Sequence, residues 1–313
     1  MAAATASPTG KRVAPSRRGR TVRDAAEARA GWLLSVPFLL FFGVFTAWPL
    51  IQSLYMSFTD TRSRDLRTPF AVNLVGFDNY AHALGDPVFQ KAALNTAIFV
   101  VVGVPLTLTA ALAAAVALNK GITRFRAVYR VGFYTPVVTS IVAVAVVWRF
   151  LLHPDNGLVN TVLGVFGVEG LNWLGDQRTA LPSLIAMVVW RNFGTGMIIF
   201  LAGLQAVPWQ LHEAAALDGA NAWQRFWNVT VPVLRPTLLF VLVTTTIGYL
   251  QFFEEPFVMT RGGPLNSTIS ASMATYQQFG FGNYGVAGAM SYLIFAVIVI
   301  VTFVQFRLTR EKE

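Results

Sequence analysis

Residues Glu213–Pro236 read EAAALDGANAWQRFWNVTVPVLRP, a polar and basic stretch set between two long apolar runs. Pro208, five residues ahead of it, presets the first turn of a helix. Gly219 can take the left-handed conformation that ends that helix. Asn221 then caps a second helix, and Pro232 and Pro236 open the next apolar run. The first helix carries Glu213, Ala214, Ala215 and Ala216. Side chains this small let another surface approach the backbone closely, so the segment has the shape of a docking knob. A carboxylate beside three alanines can bond to groups lining a cleft while the alanines fit its walls, and Asp218 with Gly219 then reverses the chain. A left-handed turn that carries a side chain costs about 1 kcal/mol, so Gly219 holds the knob's angle. Phe226, Val229 and Pro232 are expected to pack the loop against the rest of the protein.

Around this loop the chain is a membrane protein. Of 313 residues, 55% are hydrophobic and 12% charged, and the mean hydropathy is +0.55, well above a soluble domain of this size. The net charge of +9 suggests nucleic acid at first sight, but the basic residues neither gather on one domain nor interleave with aromatics. The absence of cysteine removes disulfides and thiolate metal sites. His82, His153 and His212 are far apart in sequence, so no metal site is expected.

Residues 1–30 are rich in Ala, Ser and Arg and are expected to form a disordered, basic cytoplasmic arm; residues 31–313 form the membrane domain. A cleaved signal peptide is the rival reading of the amino terminus. The apolar stretch from Trp32 to Phe58 is too long for one and lacks the small-x-small exit. Runs able to cross a hydrocarbon core of roughly 30 Å fall at about 32–58, 92–118, 128–152, 181–204, 232–253 and 286–306. An all-α protein with six transmembrane helices follows. The loop at 205–231 separates the fourth and fifth.

Lys and Arg set the direction of these spans. The amino-terminal arm, the loop with Lys120, Arg124, Arg126 and Arg130, the loop with Arg225 and Arg235, and the tail with Arg307, Arg310 and Lys312 fall on one side. The other side holds Arg62, Arg64, Arg67 and Lys91 in its first loop, then only Arg178 and Arg261. Both termini and the Glu213 loop are therefore expected in the cytoplasm. The external loops, with GFDNY at Gly76–Tyr80 and HPDNG at His153–Gly157, either meet an extracytoplasmic receptor or merely cap helix ends.

Glu-Ala-Ala, three residues, Gly, and then apolar-x-apolar-Pro after nine more residues resembles the coupling loop of ABC-importer permeases. In that family the two apolar positions are usually Ile and Leu; here they are Val229 and Val231, a mild reduction in volume. The resemblance runs from the first span almost to the carboxyl end. It includes Asn95–Thr96, Tyr129, Arg130, Phe133 and Pro136, GLQAVP at Gly203–Pro208, and MTRGGP at Met259–Pro264 with Thr268 and Tyr276. GLQ-x-x-P ahead of EAA-x-x-DGA is similar to the carbohydrate-uptake branch, and to the maltose or glycerol-3-phosphate type of subunit with the longer amino-terminal region. The resemblance implies a type I importer architecture with a cytoplasmic coupling helix. It also implies a heterodimer with a second homologous permease, a cytoplasmic ATPase dimer, an extracytoplasmic sugar-binding protein, and a place in a bacterial or archaeal cytoplasmic membrane. Glu213, Ala214, Ala215, Ala216, Asp218 and Gly219 would then couple to the ATPase.

A pathway for sugar needs aromatic faces against C–H groups and fixed polar groups for hydroxyls. Trp190, Arg191, Asn192, Tyr249, Gln251, Phe253 and Glu254 are the candidates. For Arg191, at membrane depth, a structural pairing is the alternative to a cavity; for the aromatics it is a core or lipid-facing position. Gly280–Gly285 fits the spacing G-x-G-x-x-G but follows no buried strand, and no G-x-x-x-x-G-K-[ST] cradle is present. The chain is thus expected not to be an enzyme and to bind no cofactor itself. ATP and magnesium would belong to the partner. A permease of the same type for glycerol phosphate or a polyol is the alternative, and a secondary transporter a more distant one.

Overall fold

The computed structural model describes residues 22–67, 72–121 and 125–309. Lys11, Arg12, Arg124, Arg310 and Lys312, and most of the expected basic arm, lie outside the described residues. The chain divides into two compact units after Ser53. The first contains α1 (Val22–Phe42), a π-helical turn (Gly43–Ala47) and the start of α2 (Trp48–Ser57). From Glu27 to Ser57 these make one run of 31 residues, long and apolar enough to cross a membrane, whose most apolar window has no buried residue.

The second unit opens on a segment in which Thr59 bridges to Leu74 in antiparallel fashion. Asn79, in α3 (Asp78–Gly85), donates to the carbonyls of Ser57 and Thr59 at 2.9 and 2.8 Å. α4 (Pro87–Val116) starts cleanly because the Asp86 carboxylate accepts the Val88 amide at 2.9 Å and Pro87 needs no amide partner. There follow α5 (Arg126–Val138), α6 (Ile141–Leu151), α7 (Leu158–Val165) and α8 (Gln177–Gln205). α4 and α8 form the most extensive helix pair. Phe99, Leu184, Met187 and Val188 bury one end of their seam, and Ala111, Ala115, Met197 and Phe200 the other.

Glycines set how closely the helices approach. A Cβ on Gly196 would stand 2.9 Å from that of Ala111 in α4, and one on Gly194 would run into the carbonyl oxygen of Phe133 in α5. Small residues at such crossings permit backbone contact that lipid alone would not enforce. Gly194→Val is expected to cost about 1–3 kcal/mol through overpacking, read as a lower melting temperature of the purified protein. Gly164→Ala, which has open space around its Cβ, should leave it unchanged.

The six runs expected from sequence appear as four uninterrupted helices and two bent pairs. Glu27–Ser57, Pro87–Asn119, Gln177–Gln205 and Tyr284–Thr309 qualify singly. Arg126–Val138 with Ile141–Leu151 is bent by 98°, and Ala222–Val233 with Arg235–Leu250 by 69°; each pair passes only when taken together. The first break falls at a local weak point. Pro136 lacks an amide for the last turn of α5, and Thr139 and Ser140 turn extended, with ψ of 143° and 129°.

The helices between and beyond are α9 (Trp209–Leu217), α10 (Ala222–Arg225), α11 (Val231–Val233), α12 (Arg235–Leu250), α13 (Glu254–Met259), α14 (Ala271–Gly280) and α15 (Tyr284–Thr309). Asn95 and Thr96 of α4 fasten the segment between α13 and α14. The Asn95 amide donates to the carbonyls of Asn266 and Ile269 at 2.8 and 3.0 Å, and the Thr96 hydroxyl accepts the Ala271 amide at 3.0 Å. Apart from the single bridge at Thr59, all regular structure among the described residues is helical.

Candidate functional site

Two places carry the residues singled out from sequence. The first is α9 with the turn that follows. Pro208 precedes the helix in an extended conformation, and the chain leaves it through Gly219, whose φ of +80° falls in the left-handed region. The Ala220 amide donates to the Ala215 carbonyl at 2.9 Å and the Gly219 amide to the Ala216 carbonyl at 3.1 Å, so the last carbonyls of the helix are satisfied at the turn. Asn221 then opens the next helix with a reciprocal capping box. Its side chain accepts the Gln224 amide at 2.9 Å while its own amide donates to the Gln224 side chain at 2.8 Å.

These local bonds hold a presented surface. Ala214, Ala216, Asp218 and Gly219 are exposed, and Ala215 is half-buried. The Glu213 carboxylate is exposed and accepts the indole N–H of Trp209, one turn earlier, at 2.7 Å. Phe226, Val229 and Pro232 are each half-buried, while Thr230 and Leu234 are buried at 2% and 1% exposure. Leu234 belongs to the cluster of Phe200 and Leu204. Thr230 and Leu234 are thus the deeper attachments of the segment, and neither residue type signals this in sequence.

The second place is a cavity of about 260 Å³ between α8, α12 and α13. Asn192, Thr195, Thr244 and Thr245 supply polar groups to its wall, Tyr249 and Phe252 supply rings, and Glu255 supplies a carboxylate. Tyr249 is held from three sides. Its hydroxyl shares a hydrogen bond of 2.7 Å with Thr107, its ring meets Phe99 at 5.2 Å, and Gly103 leaves room for it, since a Cβ there would lie 3.0 Å from the ring. Phe252 stacks on Phe99 at 3.9 Å. Glu255 is only 9% exposed. Burial, and then the neighbouring charge of Glu254, push its carboxyl above the ordinary range, while Arg191 opposes the shift.

Of the seven pathway candidates, Asn192 and Tyr249 meet in this cavity. Arg191 is half-buried beside it, donating to the Asn192 side-chain oxygen at 3.1 Å and reaching the Thr139 carbonyl at the bend between α5 and α6 at 3.5 Å. Its buried Nε has no hydrogen-bond partner. Trp190 lines a different and more apolar cavity of about 610 Å³, with Thr135, Pro136, Thr139 and Trp148. Gln251 and Glu254 are exposed, and Phe253 stacks on Phe257 at 5.2 Å and meets Tyr276 edge to face at 5.1 Å; these three are not among the lining residues of the smaller cavity. Phe252 and Glu255, rather than Phe253 and Glu254, line this cavity. The helix stops at Leu250, Gln251 and Phe253 adopt non-helical angles, and a new helix begins at Glu254, so helical spacing cannot be counted across the junction.

Comparison with known proteins gives the chain's family and fold relatives. A family model described as "Binding-protein-dependent transport system inner membrane component" matches residues 103–310. The chain is 36% identical over 289 residues to the lactose transport system permease protein of Rhizobium radiobacter, covering 90% of this chain and 95% of that one. It is 32% identical over 290 residues to the trehalose/maltose transport system permease protein of Thermococcus litoralis, covering 92% and 96%. Its fold is shared with a chain of a bacterial alginate ABC transporter, solved in complex with an alginate pentasaccharide-bound periplasmic protein. That likeness has a TM-score of 0.77 at 24% identity, over 93% of this chain and 98% of that one.

Proposed function

The chain belongs to the family of binding-protein-dependent transport system inner membrane components, and from that premise we propose that it is the membrane-spanning subunit of an ATP-driven importer for a sugar or oligosaccharide. An extracytoplasmic binding protein delivers the substrate, and a second, homologous permease completes the pathway. A cytoplasmic ATPase dimer seats α9 and hydrolyses ATP with its own magnesium. The chain then has six spans, each bent pair counting as one, with both termini and the Glu213 loop in the cytoplasm.

The observation that carries the substrate class is the cavity at Asn192, Tyr249, Phe252 and Glu255, together with relatives named for lactose and for trehalose and maltose. A ring face packs against sugar C–H groups, and the amide, hydroxyl and carboxylate around it accept from or donate to hydroxyls. Arg191 sits where the bend of the third span meets the cavity wall. A shift of either element would therefore be felt by the other. On the cytoplasmic side, α9 offers three alanines and a carboxylate held by Trp209, which suits close insertion between the walls of a cleft.

Topology is the first test, since every partner assignment depends on it. The chain has no cysteine, so single thiols at Asn73, Ala222 and Asn266, all exposed, report without background. Asn73→Cys and Asn266→Cys should react with a membrane-impermeant reagent on intact cells, and Ala222→Cys only after lysis. Labelling of position 222 from outside would remove the basis for ATPase docking. Substrate class is tested by screening the cognate binding protein, identified by its co-purification with the assembled complex, for melting shifts with mono- and oligosaccharides, polyols and glycerol phosphate. A shift with polyols or glycerol phosphate and none with saccharides would overturn the sugar assignment.

A further inference from the structure

Beyond the turn at Gly219 the structure carries an exposed aromatic stripe that docking of α9 leaves unused. From the Asn221 capping box the chain runs as one helix through Val233, with a π-helical turn at Phe226–Thr230. This helix is bent by 69° from α12, closer to perpendicular than to parallel. Trp223 and Trp227, four residues apart and so on one face, are 69% and 49% exposed. Their rings meet edge to face at 5.6 Å, and Phe226 adds an edge contact to Trp227 at 5.4 Å. Thr230 and Leu234 are buried in the protein, so the segment is fixed at its far end while the two indoles stay outside.

We propose that the helix 222–233 lies in the cytoplasmic headgroup layer of the bilayer, with Trp223 and Trp227 as interfacial anchors and Arg225 against anionic lipid. This rests on the proposed topology, which puts the segment on the cytoplasmic side. Three features single out lipid over the other surfaces available. The segment leaves α12 at a bend of 69°, which lets it run along the membrane surface while α12 turns inward. Tryptophan, with an apolar body and a polar N–H, collects at the headgroup level of membrane proteins. Arg225 within the segment and Arg235 at its exit bring positive charge to a leaflet that is negative in cells. The exposed apolar surface also continues along the chain into the fifth span, where Val233 and Phe240 are 40% and 57% exposed. A cleft on the ATPase, by contrast, is served by the small side chains of α9 on the other side of the Gly219 turn. Anchoring at 223–227 would hold the base of the coupling knob at a set height, so that force on α9 moves α12 rather than the loop alone.

The test uses the assembled permease pair in nanodiscs of phosphatidylcholine and phosphatidylglycerol, with and without the ATPase. The difference in emission between the parent and the Trp223→Phe/Trp227→Phe variant reports on these two indoles alone. Lipids brominated near the headgroup end of the acyl chain should remove most of that difference emission, aqueous iodide little of it, and added ATPase should change neither. Removing phosphatidylglycerol should weaken the bromolipid quenching in the parent and not in Arg225→Gln. Strong iodide quenching that the ATPase relieves would assign the surface to the ATPase, and insensitivity to both quenchers would assign it to another subunit; either result overturns the proposal. Failure of the topology itself would show separately, as outside labelling of Ala222→Cys.

Discussion

Ala215→Trp is expected to abolish ATP-driven uptake while leaving the chain folded and in the membrane. Ala215 stands in the middle of α9, half-buried between the exposed Ala214 and Ala216, and its carbonyl already takes the Ala220 amide that closes the turn. An indole there stands out from a helix whose close approach depends on side chains of one carbon. Misfit at the centre of a docking surface costs on the order of 2 kcal/mol or more, or about 30-fold in association. The measurement is co-purification of the ATPase, with stimulation of its hydrolysis by the loaded binding protein as a second readout; both should fall together. Gln210→Trp, an exposed position one residue into the same helix, should be milder, which ties the loss to the alanine face. Normal association and uptake in Ala215→Trp would mean that α9 is not the joint.

The second large effect is expected at Glu255. It is the buried carboxylate of the cavity that Asn192, Tyr249 and Phe252 line. Glu255→Gln keeps the shape and replaces one carboxyl oxygen by an amide nitrogen, so the Phe99–Phe252 stack at 3.9 Å should persist and the complex should assemble. Leaving a buried hydrogen-bonding group without its partner costs about 1–3 kcal/mol, so uptake kcat/KM should drop by roughly 10- to 100-fold if the Glu255 carboxyl group bonds substrate hydroxyls in the transition state for translocation. Glu254→Gln, one residue earlier but exposed, should transport normally. Equal behaviour of the two variants would place substrate elsewhere along the bundle.

The contrast between Glu254 and Glu255 shows where sequence reading stops. The Glu213 loop was legible because its signals are local. Pro208, Gly219 and Asn221 each specify a turn through bonds within a few residues, and each appears where it was read; the Gln224 half of the Asn221 capping box comes from the structure. Four of the six expected apolar runs are continuous helices long and apolar enough to cross a membrane. The cavity was legible only in part. Asn192 and Tyr249 lie on uninterrupted helices, where spacing predicts facing, whereas Phe252 and Glu255 follow an irregular junction whose angles depend on packing against α4 and α8 rather than on local residue type. The sharp bend at Thr139–Ser140 was likewise invisible in composition. Pro136 marks a weak point there, but the size of the turn comes from contact with α8, where Gly194 receives the Phe133 backbone and Arg191 reaches Thr139. Asn95 and Thr96 carried the family resemblance without a stated role; the structure gives them one, as the fasteners of the 266–271 segment.

The central claim is that this chain passes substrate only when an ATPase works through it. The most direct measurement places the chain in proteoliposomes with its partner permease, ATPase and binding protein, and follows uptake of whichever saccharide the binding protein selects. The account predicts accumulation that needs ATP inside the vesicle compartment holding the ATPase, needs the loaded binding protein on the other side, and disappears with Ala215→Trp. Accumulation driven by an ion gradient without ATP, or ATP-driven accumulation untouched by Ala215→Trp, would contradict it.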